Sequence, residues 1–442
     1  MFNIYYDKTD VQFDLLLNLQ QRNIPLHSLT QCKRTCTTKF HVVNNGEVDK
    51  LIDVPIIFPI DYQSTMISWE KRDCNLVGIN PLGEEILLFV KNMVEKIPNH
   101  KKIFLIYSRT EPYFHDNHLF VCKLADMYPD CEFVVSGNGE QVCHYEMNLA
   151  EFNKRSNTHF IPKSWYIDQV HFVKHVTDDV SLQEWHYEEW VEKPPADAPS
   201  WAIGHNRFLL TMRNPRPHRL LMSALIEDNL EHITYSRQWS MNELHLMDMY
   251  ENPETTKEYP YHVDLLVRGI KRLLDTHTDP DVINKMLHTL YGPPHFLDTT
   301  TISDRGLPGK WLYERNDIAV VAGGEGEGYG YIDEKQIIPI AYKRPFILFG
   351  CKGMYEELEK LGFKTFGNIF NIEYSKRDDF YRRIKGCAEL IEHYSKLSNE
   401  QFEALLDSCK EDVEYNYNHY ASGKFRLKSN DNFFRELENA CS

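Results

Sequence analysis

The strongest constraint on this chain is a repeated switch between two hydrophobic periods. Short apolar runs of strand length alternate with longer stretches whose apolar residues recur at helical spacing. RFLLTM at 207–212 is followed by RPHRLLMSALIEDN and then HITYS; farther on, NDIAVVA leads to DEKQIIPIAYK and then RPFILFG. Strand, helix and strand in that order predict parallel βαβ units, because parallel strands need a crossover long enough to hold a helix. In such sheets ligands bind beyond the carboxyl ends of the strands, so the residues just after each apolar run become the candidates for chemistry.

The amino-terminal half carries the same alternation. IFLIYS within 102–108 reads as a buried strand, DNHLFVCKLADMYP as a helix with Leu119, Val121, Cys122, Leu124 and Ala125 on one stripe, and CEFVVSGNG at 131–139 as the next strand. Start and stop signals are clear farther along. Asp279 and Pro280 open a helix that Gly292 closes, Gly362 ends the helix KGMYEELEKLG, and Ser398 with Gln401 matches a capping box. A chain of 442 residues exceeds one ordinary core, and EWVEKPPADAPSWAIG at 189–204 has the Pro-rich composition of a linker. The expected organisation is an amino-terminal domain over 1–195, a second over 196–385 and a helical segment over 386–442.

Composition excludes several classes. With 42% hydrophobic and 26% charged residues the chain is globular rather than disordered. No window offers eighteen uncharged apolar residues, and MFNIYYDKTD lacks the basic start of an export signal, so a soluble, cytoplasmic protein is expected, with no membrane partner. The ten cysteines include CKRTC at Cys32 and Cys36, which is not a zinc-ribbon spacing, and no HExxH occurs; no metal site is expected. A net charge of −16 disfavours long-range attraction to nucleic acid. Local basic clusters occur nonetheless at Arg213, Arg216 and Arg219; Arg268, Lys271 and Arg272; Arg382, Arg383 and Lys385; and Lys424, Arg426 and Lys428. Taken singly, each is better explained as a solvated helix face.

Two stretches carry chemistry. In RFLLTMRNPRPHRLL at 207–221 a strand runs into a helix start occupied by Arg216, His218 and Arg219. Cations there have the wrong sign for the helix dipole and make local sense if an external phosphate sits at that end; pairing with acidic surface groups is the alternative. In YIDEKQIIPIAYKRPFILFG at 331–350, Asp333, Glu334 and Lys335 open a helix whose Ile337, Ile338 and Ile340 face the sheet. A carboxylate at such a place can accept both ribose hydroxyls while the adjacent ammonium reaches a phosphate. The preceding AGGEGEGYGY is neither a dinucleotide fingerprint nor a phosphate loop of the GxxxxGK[ST] kind.

The strings NRFLLTMRNPRPHR, IDEKQIIPIAYKRPFILFG and LEKLGFKTF together resemble the carboxyl-terminal domain of phage- and giant-virus-type glycosyltransferases, a group similar to the fucosyltransferase-like branch of two-Rossmann-domain enzymes. The match spans roughly residues 206–390. It implies an α/β chain of two Rossmann-like domains facing across a cleft (the GT-B arrangement) with a helical carboxyl-terminal tail. It implies that Glu334 holds the ribose, Lys335 a phosphate and Arg219 the diphosphate of a UDP- or GDP-linked sugar donor, with Arg216 and Arg213 beside them. Asp333 departs from the family's usual Thr. Pro345 and Gly350 frame the strand. No permanently bound cofactor is implied. For a base on the acceptor side the candidate is Glu111 in YSRTEPYFHDNH, with His115 and Asp116 as alternates; Glu111 is equally readable as an acidic residue opening a helix.

The phage-type resemblance implies a hydroxymethylated base of double-stranded DNA as acceptor, in a host cytoplasm. The clusters at 268–272 and 382–385 would then meet phosphates, and Tyr113, Phe114, Trp165 or Tyr166 would stack on a flipped base. A glycan or protein acceptor, or a non-catalytic module retaining the fold, are the alternatives.

Overall fold

The computed structural model describes residues 2–6, 40–44, 48–61, 81–112, 115–138, 154–161, 205–212, 216–237, 270–271, 273–275, 279–291, 310–323, 332, 334–422 and 424–440. The 189–204 linker, Gly292, Cys32, Cys36, Tyr113, Phe114, Trp165 and Tyr166 lie outside the described residues. The chain divides into two compact units: Met1–His171 with Asp179–Glu184 and Gly423–Ser442, and Phe172–Asp178 with Trp185–Ser422. Each contains a parallel sheet with helical crossovers, the Rossmann-like arrangement that the alternating periods predict.

In the first unit β1 (Phe2–Tyr6), β2 (Phe40–Asn44), β3 (Ile56–Asp61), β4 (Lys102–Pro112), β5 (Cys131–Asn138) and β6 (Thr158–Phe160) lie in the order β2-β1-β3-β4-β5-β6, all parallel. Register decides the core. Phe58 pairs with Phe104 and Phe104 with Phe133, so three rings from adjacent strands stack at centroid distances of 5.0 and 5.4 Å. Helix α1 (Pro81–Lys96) covers them with Ile86, Phe89, Val90 and Met93, the helical stripe of an amphipathic crossover. Helix α2 (His115–Met127) follows β4 and buries Val121, Leu124 and Ala125. The strand expected over 102–108 runs on to Pro112, past an irregularity in register between Tyr107 and Pro112.

The second unit has β7 (Asn206–Met212), β8 (Ile233–Arg237), β9 (Asn316–Gly323) and β10 (Phe346–Gly350) in the order β10-β9-β7-β8, again all parallel. Its helices are α3 (Pro217–Ile226), α4 (Pro280–Tyr291), α5 (Lys310–Glu314), α6 (Glu334–Ala341), α7 (Met354–Leu361), α8 (Phe380–Ser395) and α9 (Asn399–Ala421). The local signals act as read from the sequence. The Asp281 N–H donates to the Asp279 carboxylate, Gly362 takes φ 97° at the end of α7, and the Ser398–Gln401 capping box is formed.

The helical stretch expected as a separate tail over 386–442 is divided between the units. Helices α8 and α9 belong to the second, whereas α10 (Lys424–Ala440) belongs to the first and buries Phe425, Phe433, Phe434 and Leu437. Two features tie the segments that follow β10 to the second sheet. The Arg207 guanidinium, from the start of β7, donates to the carbonyls of Tyr394, Ser395 and Leu397 at 2.8–3.0 Å and to Asn399 Oδ1, and it lies 4.6 Å over the Phe402 ring. On β10, the Leu348 N–H donates to Tyr355 Oη (2.8 Å) and the Leu348 carbonyl accepts from Tyr374 Oη (2.6 Å). Because the Tyr374 proton is used there, Tyr355 donates across the 3.1 Å contact between the two phenols. Among the described residues no helix is long and apolar enough to cross a membrane.

Candidate functional site

The order of the second sheet fixes where a ligand belongs. The chain leaves β7 toward β8 on one side and returns to β9 on the other, so the strand order reverses between β7 and β9. A parallel sheet opens a crevice at the carboxyl ends of such a pair. Helices α3 and α6 begin just beyond those ends, at Pro217 and Glu334.

The start of α3 is built from cations. Arg216 is the N-cap in an extended conformation (φ −106°, ψ 152°), no side chain caps the helix, and the first turn holds no acidic residue. Pro217 at the first position supplies no N–H but presets the helical φ. His218 and Arg219 are both buried, at 0% and 5% exposure. The opening of α6 is set by Gln336, which is fully buried beneath the end of β9. A Cβ on Gly323 would stand 2.4 Å from Gln336 Nε2 and 2.3 Å from Met354 Sδ, so any larger residue there would have to displace these two side chains. The half-buried Lys335 precedes Gln336 in the first turn of α6.

Arg383 completes the group from α8. It is 3% exposed, and its guanidinium donates to the carbonyls of Gly350 (2.8 Å) and Arg377 (2.6 Å), which fixes it against the end of β10. His218 reports the resulting field. Burial, and then the positive charges of Arg219, Arg216, Arg383 and Lys335, hold its imidazole well below the ordinary histidine range. Its ring meets Phe349 edge-on at 6.0 Å, and neither ring nitrogen has a hydrogen-bond partner among the described residues.

This shift has a stability consequence with a definite sign. The folded chain keeps the imidazole neutral while the unfolded chain protonates it below about pH 6.5. The stabilisation is therefore complete above about pH 6.5 and is lost as pH falls toward the folded pKa. Denaturant titrations across this range should show up to about 1.4 kcal/mol of lost stability per pH unit in the wild type from this group. His218→Gln should lack that component, and parallel curves for the two proteins would count against it.

The structure places the other expected residues as follows. Glu334 is the first residue of α6, while Arg213 and Asp333 lie outside the described residues. Glu111 is the last residue but one of β4, not a helix-opening residue, and His115 and Asp116 are the first two residues of α2. Of the basic clusters assigned to DNA phosphates, Lys271 is exposed, and Arg268 and Arg272 lie outside the described residues. In the other, Arg383 is turned inward onto carbonyls and Lys385 lies 3.9 Å from Glu389. The signal for Arg383 was present in the sequence: it falls on one stripe with Phe380, Ile384, Cys387 and Ile391, all buried. A groove of about 370 Å³ beside Tyr374, Arg377, Glu389 and His393 runs along α8 and is lined by none of the four cations. Among the described residues no three His, Cys, Asp or Glu side chains come together as a metal ion would need.

No protein-family model matches the sequence, and no curated protein matches it. Among solved structures, the chain is similar to an α,α-trehalose-phosphate synthase (UDP-forming) from Burkholderia vietnamiensis, with 9% identity and a TM-score of 0.37 over 89% of this chain and 76% of that one. It is also similar to a trehalose-6-phosphate synthase studied with bisubstrate glycomimetics, with 10% identity and a TM-score of 0.37 over 97% of this chain and 84% of that one. The functional reading rests on the geometry of the site itself.

Proposed function

We propose that the chain is a glycosyltransferase whose second unit holds a nucleoside-diphosphate sugar, UDP- or GDP-linked, for transfer to an acceptor hydroxyl. One observation carries this reading. Arg216, Arg219 and Lys335 stand at the starts of two helices at the carboxyl edge of a parallel sheet, and the buried Arg383 is anchored at the end of β10 beside them. Converging cations at helix starts are what a diphosphate requires. Arg219, Arg216 and Lys335 take its oxygens, with Arg213, the residue that follows β7 in the sequence, as a further donor. Glu334 takes the ribose hydroxyls. As the sugar leaves, the charge growing on the diphosphate is met by these preorganised cations, without need of a metal. Glu111, at the carboxyl end of β4, is the proposed base for the acceptor hydroxyl, with Asp116 and His115 as alternates.

The DNA acceptor implied by the resemblance gains no support here. Arg383 holds the end of β10 rather than facing solvent, and the net charge of −16 opposes a polyanion.

The test is a thermal-shift panel of UDP, GDP and their common sugar conjugates. A ligand at about one hundred times its dissociation constant adds roughly 2.7 kcal/mol and a clear rise in melting temperature. Lys335→Ala and Glu334→Ala should each weaken the responding nucleotide about 10- to 100-fold, since each removes a hydrogen bond to or from a charged group. Glu111→Gln should bind the donor normally but transfer it roughly a hundredfold or more slowly. Unchanged affinity in both α6 variants would remove the donor reading. A donor that binds but is neither transferred nor hydrolysed would leave a binding module.

A further inference from the structure

The donor reading leaves one group in the site without a task. His218 is fully buried, with neither ring nitrogen hydrogen-bonded among the described residues. Folded interiors rarely leave a buried donor and acceptor unmatched unless a ligand, an ion or a function uses them. Among the described residues, the charged groups whose field acts on this ring are Arg219 and Arg216 from its own helix, Arg383 from α8 and Lys335 from α6, all cations. The Phe349 ring at the end of β10 lies edge-on to it at 6.0 Å and offers no charge.

We propose that His218 donates a hydrogen bond to an oxygen of the anion bound at this helix start, and that binding of the anion brings a proton from solvent onto its imidazole. With the site empty, four positive charges and a dry surrounding oppose a fifth charge on the ring. A bound dianion offsets those charges and offers acceptors to the N–H groups of an imidazolium. Occupancy and protonation then favour each other by the same factor. The natural ligand follows from the diphosphate reading above, but the proton linkage needs only an anion, so the two can fail separately.

The experiment is calorimetric titration of the full chain with sodium sulfate, UDP-glucose and GDP-mannose. None of these ligands titrates between about pH 6 and 8, where a histidine does. Tris and bis-Tris, adjusted to the same chloride concentration, are used because they differ in ionisation heat and are not themselves anions. For any ligand that binds, the heats should differ between buffers by the uptake of a sizeable fraction of one proton. Affinity should fall with rising pH, by at most tenfold per unit, the limit for one linked proton. His218→Gln should bind more weakly, with no buffer dependence and a flat pH profile.

Sulfate binding with proton uptake but no response to either sugar nucleotide would keep this inference and weaken the donor reading. Sugar-nucleotide binding with no uptake, or uptake that persists in His218→Gln, would overturn the inference and leave the donor reading standing. No binding of any of the three would overturn it too. Should His218→Gln fail to fold, the pH profile of wild-type sulfate affinity decides alone, and a flat profile overturns the proposal.

Discussion

Gly350→Ala should lower the melting temperature by about 10 °C and abolish nucleotide binding with it. Gly350 ends β10 at φ 133°, a region that side chains rarely enter, and a Cβ there would stand 2.1 Å from the Gly323 carbonyl oxygen. The neighbour is backbone, so nothing flexible can yield. Strain at such a φ costs about 1–3 kcal/mol. Prising the ends of β9 and β10 apart adds more, for roughly 3–5 kcal/mol in all, among the largest effects a single substitution has. In a unit of this size each kcal/mol moves the midpoint by about 2–4 °C. The site is lost too, because Arg383 is anchored on the Gly350 carbonyl and Gly323 receives Gln336 of α6. A midpoint within a degree or two of wild type would show that the two strand ends are not pressed together.

Arg207→Ala should cost about 3 kcal/mol while leaving nucleotide affinity intact. The guanidinium closes the carbonyl end of α8 with three bonds, reaches Asn399 at the opening of α9, and covers Phe402. Hydrogen bonds from a charged donor contribute roughly 1.5–3 kcal/mol each, but bonds from one group are not additive, and part of this residue meets solvent. Arg207→Lys should recover less than half, because an ammonium cannot reproduce a planar fork that stacks on a ring. Arg207 lies at the amino end of β7, whereas the proposed anion site lies beyond its carboxyl end. Chemical denaturation should therefore register the loss, and titration well below the midpoint should give an unchanged dissociation constant. A matched loss of affinity would mean that α8 transmits its anchoring to Arg383.

The two arginine sets show where sequence reasoning reached and where it stopped. The alternation of periods placed β7, β9 and β10 and the helices between them, since each run is bounded by Pro, Gly or a capping residue that forces a break. The cations at the opening of α3 were legible as a charge anomaly at a helix start, which is a local property. Arg383 was misread because charge was weighed over period: a basic triplet looks like surface, but its position on the apolar stripe of α8 puts it inside. That His218 would be buried was illegible, because flanking arginines suggest solvent, and the ring is covered by Phe349 from a strand about 130 residues away. In the first unit, Pro59 sits in β3, which lies between β1 and β4 and not at the margin of the sheet. A proline normally argues against such a place, since it lacks the ladder N–H. The continuation of β4 to Glu111 and Pro112 depends on a register irregularity that no periodicity announces.

The two phenols bonded to the backbone of β10 have a consequence of another kind. Among the described residues β10 is the outermost strand on its side, and an outermost strand presents open backbone groups on which a second chain can build. Here the Leu348 N–H and carbonyl are occupied by Tyr355 and Tyr374, and the Gly350 carbonyl by Arg383. All three side chains come from segments that follow β10 in sequence, so until they dock the strand stands open to another molecule. Colloidal behaviour during refolding would thus depend on residues 355, 374 and 383, far more than the finished structure would suggest.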